Sequence, residues 1–262
     1  MNPEINTWLQ LILRWAHAVA GIIWIGHLYF FNWVNGPFQA KLDGGTKKIV
    51  NPELMPRALF WFRWGAAWTW ITGILLAALV YYHGRVVFED PTSPGSNSWL
   101  WLAIVLVLLA VGFVIYNAIM KAVPNKVAAA AINLVIFAAV YLFLEYVGKF
   151  SGRALYIHAG AIFGTIMALN VWMVIWPYQK RIITAVKTGT APDAKEVATA
   201  GLRSRHNTFM SVPLIFTMIS NHYPTVYGQV PWCRDLILAA IIAVGFITTR
   251  LIYGKAAKVP GF

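Results

Sequence analysis

Charge is scarce in this sequence, and acid most of all. Of 262 residues only 11% are Asp, Glu, Lys or Arg, against roughly 25% in soluble domains. Nine acids face 21 basic residues, for a net charge of +12. Only Glu145 falls inside an apolar run. That argues against paired-carboxylate catalysis, di-metal carboxylate centres and proton-coupled transport, which uses buried acids. Cysteine is nearly absent: Cys233 stands alone, which excludes intrachain disulfides, thiolate zinc sites and iron–sulfur clusters. There is no P-loop, no H-E-x-x-H, no G-x-S-x-G and no G-x-G-x-x-G following a strand. The basic excess lies in short loops rather than along a soluble helix, so no nucleic-acid partner is expected.

What the chain does have is hydrocarbon. It is 59% hydrophobic with 13 tryptophans, and its mean hydropathy is +0.63. A spanning helix needs about 20 mostly apolar residues. Seven segments qualify, at about 8–35, 58–83, 98–120, 127–148, 153–176, 207–223 and 235–253. The expectation is an all-α, polytopic integral membrane helix bundle, with residues 1–262 forming a single membrane domain in the lipid bilayer. The first segment is too long for the apolar core of a cleavable signal, which runs to about 15 residues. Several tryptophans (Trp8, Trp99, Trp101, Trp176, Trp232) fall near segment ends, where amphipathic rings favour the interface. The sixth segment is the most polar: it carries Asn207, Thr208, Ser211, Thr217, Ser220, Asn221 and Pro213. Such a segment survives in a membrane when neighbours or a wet cavity satisfy it, so it is expected to line the bundle.

Lys and Arg concentrate in the loops after segments one, three and five and in the tail. By the positive-inside rule those loops and the C-terminus face the cytoplasm and the N-terminus lies outside. The two longest connections, 36–57 and 177–205, read as loops; the second contains a turn and a short amphipathic helix capped at Asp193. An internal repeat is also visible. R-W-A-H-A-V-A-G in segment one and R-A-L-Y-I-H-A-G in segment five each precede a proline, Pro37 or Pro177, at 20 and 19 residues from the histidine. Chance similarity among apolar helices would give the same pattern.

All six histidines lie in or at the ends of four of these segments. Ionisable groups within a membrane are costly and mark functional sites. His17, His83, His158 and His222 approach the outer side, and His27 and His206 the inner side. Imidazoles on facing helices suit the axial positions of haem b, which would be non-covalent, since C-x-x-C-H is missing. The candidate haem ligands are therefore His17, His83, His158, His222 and His27. His83 and His222, at segment ends, also fit a plain interfacial role. The candidate substrate site is Arg63, Arg205, His206 and Asn207. Arginines beside a helix start suit a planar anion, although positive-inside flanking also accounts for Arg203 and Arg205.

The run R-W-A-H-A-V-A-G-I-I-W-I-G-H-L-Y-F-F-N-W-V-N (14–35) resembles the membrane domain of the bacterial urate hydroxylase PuuD family. P-R-A-L-F-W-F-R-W-G-A-A-W-T-W-I-T-G (56–73) and S-R-H-N-T-F-M-S-V-P-L-I-F-T-M-I-S-N-H-Y-P (204–224) are similar to the same family. The H-x6-W-x-G element alone is shared more loosely with haem-binding membrane proteins of the CopD and HemJ type. The resemblance implies an enzyme of the bacterial inner membrane that oxidises urate to 5-hydroxyisourate and passes electrons to a cytochrome c. The family's extracytoplasmic cytochrome c domain follows one further helix, and this sequence departs there. A separate cytochrome c chain, a fragment of a longer fusion, or loss of the enzymatic role each fit. Two other classes stay open: a haem-bearing accessory subunit of a larger respiratory assembly, and a transporter or channel for a small anion.

Overall fold

The computed structural model describes residues 2–260. It is helical, with no strands among the described residues apart from one isolated bridge between Phe88 and Phe150. In chain order the elements are α1 (Pro3–Tyr29), π-turn π1 (Phe30–Asn35), α2 (Gly36–Lys41), α3 (Gly44–Leu76) and π2 (Ala77–His83). Then follow α4 (Ser98–Ala122), α5 (Lys126–Tyr146), α6 (Gly152–Asn170), π3 (Val171–Ile175) and α7 (Trp176–Thr188). Last come α8 (Ala194–Ser220), α9 (Pro224–Tyr227) and α10 (Pro231–Ala256).

Six continuous helical stretches are long and apolar enough to cross a membrane: Pro3–Lys41, Gly44–His83, Ser98–Ala122, Lys126–Tyr146, Gly152–Thr188 and Pro231–Ala256. They match six of the seven segments read from the sequence, the fourth of which ends two residues early, at Tyr146. The seventh, 207–223, runs mostly within α8, which is not among the six. The physical reason is its polar content, which it satisfies internally. Ser211 Oγ donates to Thr208 O at 2.8 Å, Thr217 Oγ1 to Leu214 O at 2.8 Å and Ser220 Oγ to Thr217 O at 2.8 Å.

Two further readings are corrected. The 36–57 connection is almost wholly helical, because α3 begins at Gly44 and runs through Pro52 and Pro56. Its start is held by Asp43, whose carboxylate accepts from Thr46 N at 3.0 Å and Thr46 Oγ1 at 2.6 Å. The hydroxyl and N–H of Thr46 hold that carboxyl below the usual carboxylate range. In the 177–205 connection, α7 ends at Gly189, which has a left-handed φ of 78° that suits glycine. Asp193 then caps α8 as expected, accepting from Lys195 N at 2.7 Å, but that helix continues straight into the polar segment.

The repeat gains a structural counterpart. π1 begins thirteen residues after His17, and π3 thirteen residues after His158. Each π-turn is followed by a helix with proline in its first turn, Pro37 or Pro177. π1 has six residues and π3 five, which accounts for the one-residue difference in spacing. Single π-turns inside α-helices concentrate at functional sites.

The chain forms two compact units. The first comprises residues 2–13, 73–166 and 213–242; the second comprises 14–72, 167–212 and 243–260. The first is centred on Tyr82, Phe150, Tyr156 and His158, all buried. The ring of Phe150 meets Phe88 at 5.8 Å, Trp101 at 5.4 Å and His158 at 5.0 Å. The second is centred on Trp24, Leu28, Phe62 and Ala66. There α1 and α3 approach so closely at Gly65 that a Cβ would lie 3.0 Å from Trp24 N and 3.2 Å from Ala20 O. Those neighbours are backbone and cannot swing aside. Gly65→Val is expected to cost about 1–3 kcal/mol through overpacking, measurable as a lowered unfolding midpoint in detergent. An unchanged midpoint would show that the two helices separate freely.

Candidate functional site

The six histidines divide evenly between the units. His83, His158 and His222 belong to the first, and His17, His27 and His206 to the second. His83 and His222 are exposed, His158 is buried, and His17, His27 and His206 are half-buried. Iron ligation through Nε2 requires the proton on Nδ1, and protein ligands usually fix that proton on a backbone or side-chain oxygen. His17, His27 and His158 meet this condition. His17 Nδ1 lies 3.1 Å from Thr72 Oγ1. His27 Nδ1 is 2.7 Å from Ile23 O, and His158 Nδ1 is 2.7 Å from Ala154 O. In His158 the second nitrogen is also engaged, since Tyr82 OH donates to Nε2 at 2.7 Å. His17 and His27 therefore present Nε2 to a ligand, whereas His158 is closed by Tyr82. Ten residues apart on α1, His17 and His27 are about 15 Å from each other along the axis, so they cannot share one iron.

A wide apolar groove of about 670 Å³ opens along α1 and α3, and His17 is not part of its lining. Its walls include Trp15, Trp61, Trp64 and Trp68 and its floor the small residues Ala20 and Gly65. Thr72, the partner of His17, is part of the lining. The volume falls in the usual range for small-molecule sites, about 300–1,000 Å³, and Thr72 links this groove to the His17 imidazole whose Nδ1 it meets.

The other candidate residues gather on α8 and its neighbours in the second unit. Asn207 is fully buried: its Nδ2 donates to Met167 O at 2.9 Å, and its Oδ1 accepts from Asn170 at 2.9 Å. It fixes α8 against the end of α6. One turn earlier, Ser204 accepts from Asn32 Nδ2 at 2.8 Å, and Asn32 Oδ1 accepts from Tyr253 OH at 2.8 Å. The Arg205 guanidinium sits 5.6 Å above the Tyr253 ring. Tyr29 OH lies 3.0 Å from Ser211 Oγ, and its ring stacks on Trp33 at 4.0 Å. Arg63 is held elsewhere in this unit, in an aromatic box. Its guanidinium lies 3.9 Å from the Trp176 ring centre and 5.6 Å from that of Phe60, and Trp172 Nε1 donates to Arg63 O at 2.9 Å. Cations on aromatic faces are stabilised where water is excluded. Arg205, His206 and Asn207 are thus neighbours on one helix, while Arg63 belongs to a different cluster.

Several partners were not evident in the sequence. Asn32, Ser204 and Tyr253 form one hydrogen-bonded chain, yet they are far apart in sequence. Tyr82 as the lid on His158 was signalled only by standing next to His83. Glu145, the lone acid of an apolar run, is paired with Arg234. Both side chains are buried, and Tyr141 OH donates to the adjacent Asp235 at 2.9 Å.

Six helical stretches of this length and apolarity among the described residues make this a polytopic membrane protein. The model of the urate oxidase N-terminal family matches residues 44–259. The chain belongs to that family, and so is a urate-related membrane protein. The match starts at Gly44, so His17 and His27 on α1 precede it. No curated protein and no solved structure matches the chain.

Proposed function

We propose that this protein is a membrane redox enzyme that oxidises urate to 5-hydroxyisourate and delivers the electrons, by way of haem b, to a cytochrome c on a separate chain or domain. Family membership carries the reading; the fixed Nδ1 of His17 and of His27 supports it. In the balanced reaction urate gains one oxygen from water and releases two protons and two electrons. Bound haem would supply one-electron carriage between urate and the acceptor.

The chain's own part is binding and orientation. His17 and His27 would hold iron through Nε2, with Thr72 and the Ile23 carbonyl keeping each ring in register. Arg205 and His206 would meet the urate anion. Asn207 acts behind them as a positioning residue, because both its polar ends are spent on α6. Arg63 supports the surrounding field from its aromatic box. Cytochrome c would dock from the aqueous phase in a larger respiratory assembly.

The test is to add urate anaerobically to the purified, oxidised protein and record the visible spectrum. Reduced b-type bands should grow with urate. Arg205→Gln should raise the urate concentration needed at least about tenfold, the usual cost of losing a charged hydrogen bond. One observation favours a second reading: so many polar groups along α8 are spent on its own backbone or on neighbouring helices that few remain for a substrate. A haem-bearing accessory subunit without its own substrate would show b-type bands reduced by dithionite and indifferent to urate.

A further inference from the structure

A polar pocket of about 520 Å³ in the first unit lies where π2 gives way to the loop before α4. It has no part in the scheme above. Its lining includes Tyr82, His83, Arg85, Asn97, Ser98 and Trp99, with no acid among the lining residues. Ser98 is 92% buried (8% exposed), and its hydroxyl has no hydrogen-bond partner among the described residues. A buried, unsatisfied hydroxyl costs about 1–3 kcal/mol, so it marks a place where a ligand atom belongs. Ser98 also opens α4, whose first N–H groups favour negative charge.

The other groups narrow the ligand. Thr92 is spent, its N and Oγ1 donating to Asp90 Oδ1 at 2.8 and 2.6 Å. Ser96 is spent as well, donating to Asp90 O at 2.7 Å. Asp90 is thus turned onto its own loop, where the Thr92 hydroxyl holds its carboxyl below the usual range. What remains for a ligand is the Arg85 guanidinium, the His83 imidazole, the Ser93 and Ser98 hydroxyls, the Asn97 side-chain amide N–H and one open aromatic face, that of Trp99. Trp99 is 59% exposed at the rim. Tyr82 forms a wall, with its hydroxyl already given to His158. Arg85 is held at φ 55°, a left-handed conformation unusual for arginine.

We propose that this pocket binds a planar heterocyclic oxyanion, of the chemical class of urate, stacked on Trp99 above the buried Tyr82, with Arg85, His83 and Ser98 meeting its oxygens. The identity of the ligand rests on the reading given under Proposed function; the existence of a second anion site does not. Through Tyr82 this ligand would lie one hydrogen bond from His158, giving that closed imidazole a role separate from iron ligation.

Equilibrium dialysis of radiolabelled urate against the full chain in zwitterionic nanodiscs tests this. Two classes of site are expected. Arg85→Gln should weaken one class at least about tenfold and leave the class sensitive to Arg205→Gln intact. Trp99→Ala, an exposed position with little bearing on folding, should weaken the same class as Arg85→Gln. Binding unchanged in both Arg85→Gln and Trp99→Ala overturns the proposal. So does displacement by equimolar inorganic phosphate, or loss of the site in anionic-lipid nanodiscs, either of which assigns the pocket to a phosphate group. Urate-driven haem reduction, read on the same samples, separates the two ideas. Urate held at Arg85 but never oxidised leaves the pocket standing and removes the enzymatic reading.

Discussion

Glu145→Ala is expected to be the most damaging single substitution outside the glycines, lowering stability by about 3–5 kcal/mol. It would leave Arg234 buried without its closest counter-charge. The Arg234 side chain is only 4% exposed, and the next carboxylate, Glu89, lies 3.9 Å away on an exposed residue. The network around the pair offers no substitute: Tyr141 is committed to Asp235, and Tyr156 OH donates to the Arg234 carbonyl at 2.8 Å. Replacing both partners with apolar residues of similar volume, Glu145→Leu with Arg234→Met, should restore most of the loss, because a buried ion pair offsets its own desolvation only narrowly. Detergent-unfolding midpoints of the native protein, Glu145→Leu, Arg234→Met and the double variant provide the measurement. Equal losses in the single and double variants would mean that the pair contributes packing rather than charge balance.

The second large effect is spectroscopic. His17→Ala should remove the share of the reduced b-type absorption that belongs to the haem at His17 and leave the share that belongs to His27, lowering the haem count per chain of the purified protein. Thr72→Val keeps the imidazole but deletes the oxygen 3.1 Å from its Nδ1. Loss of such a supporting partner typically weakens metal binding 10–100-fold, so this variant should lose haem more readily on dilution than the native protein. His83→Ala and His222→Ala, at exposed positions, should leave the bands intact. A colourless native protein that is fully folded would return all six histidines to packing or substrate binding.

The helical architecture was legible because membrane spans announce themselves by length and apolarity, and because caps are local. Asp193, Asn97 and Asn125 each accept from N–H groups within three residues. The 36–57 stretch was misread because proline and glycine punctuate soluble sequences, whereas Pro52 and Pro56 sit inside one long helix here. The polar run 207–223 passed as a span of its own because residue type alone does not show its hydroxyls turning back onto carbonyls three residues earlier. The candidate site was legible only by residue type. That Asn207 would be spent on Asn170, or that Tyr82 would close His158, depends on contacts 37 and 76 residues apart in sequence. That Arg63 would stand among aromatic rings, apart from Arg205, was not legible, because sequence gives depth and not the faces around a cation.

The paired π-turns bear on the history of the chain. One extra residue in an α-helix rotates everything beyond it by about 100°, enough to turn a core-facing stripe towards lipid. A π-turn takes up such an insertion locally and leaves the downstream helix facing as before. The turn after His17 holds one residue more than the turn after His158, yet both lead into a proline-started helix at the same point. If the two halves descend from one ancestral segment, the turns are where an insertion or deletion was tolerated. The next length change in a relative should then fall within 30–35 or 171–175, not between the histidine and the turn.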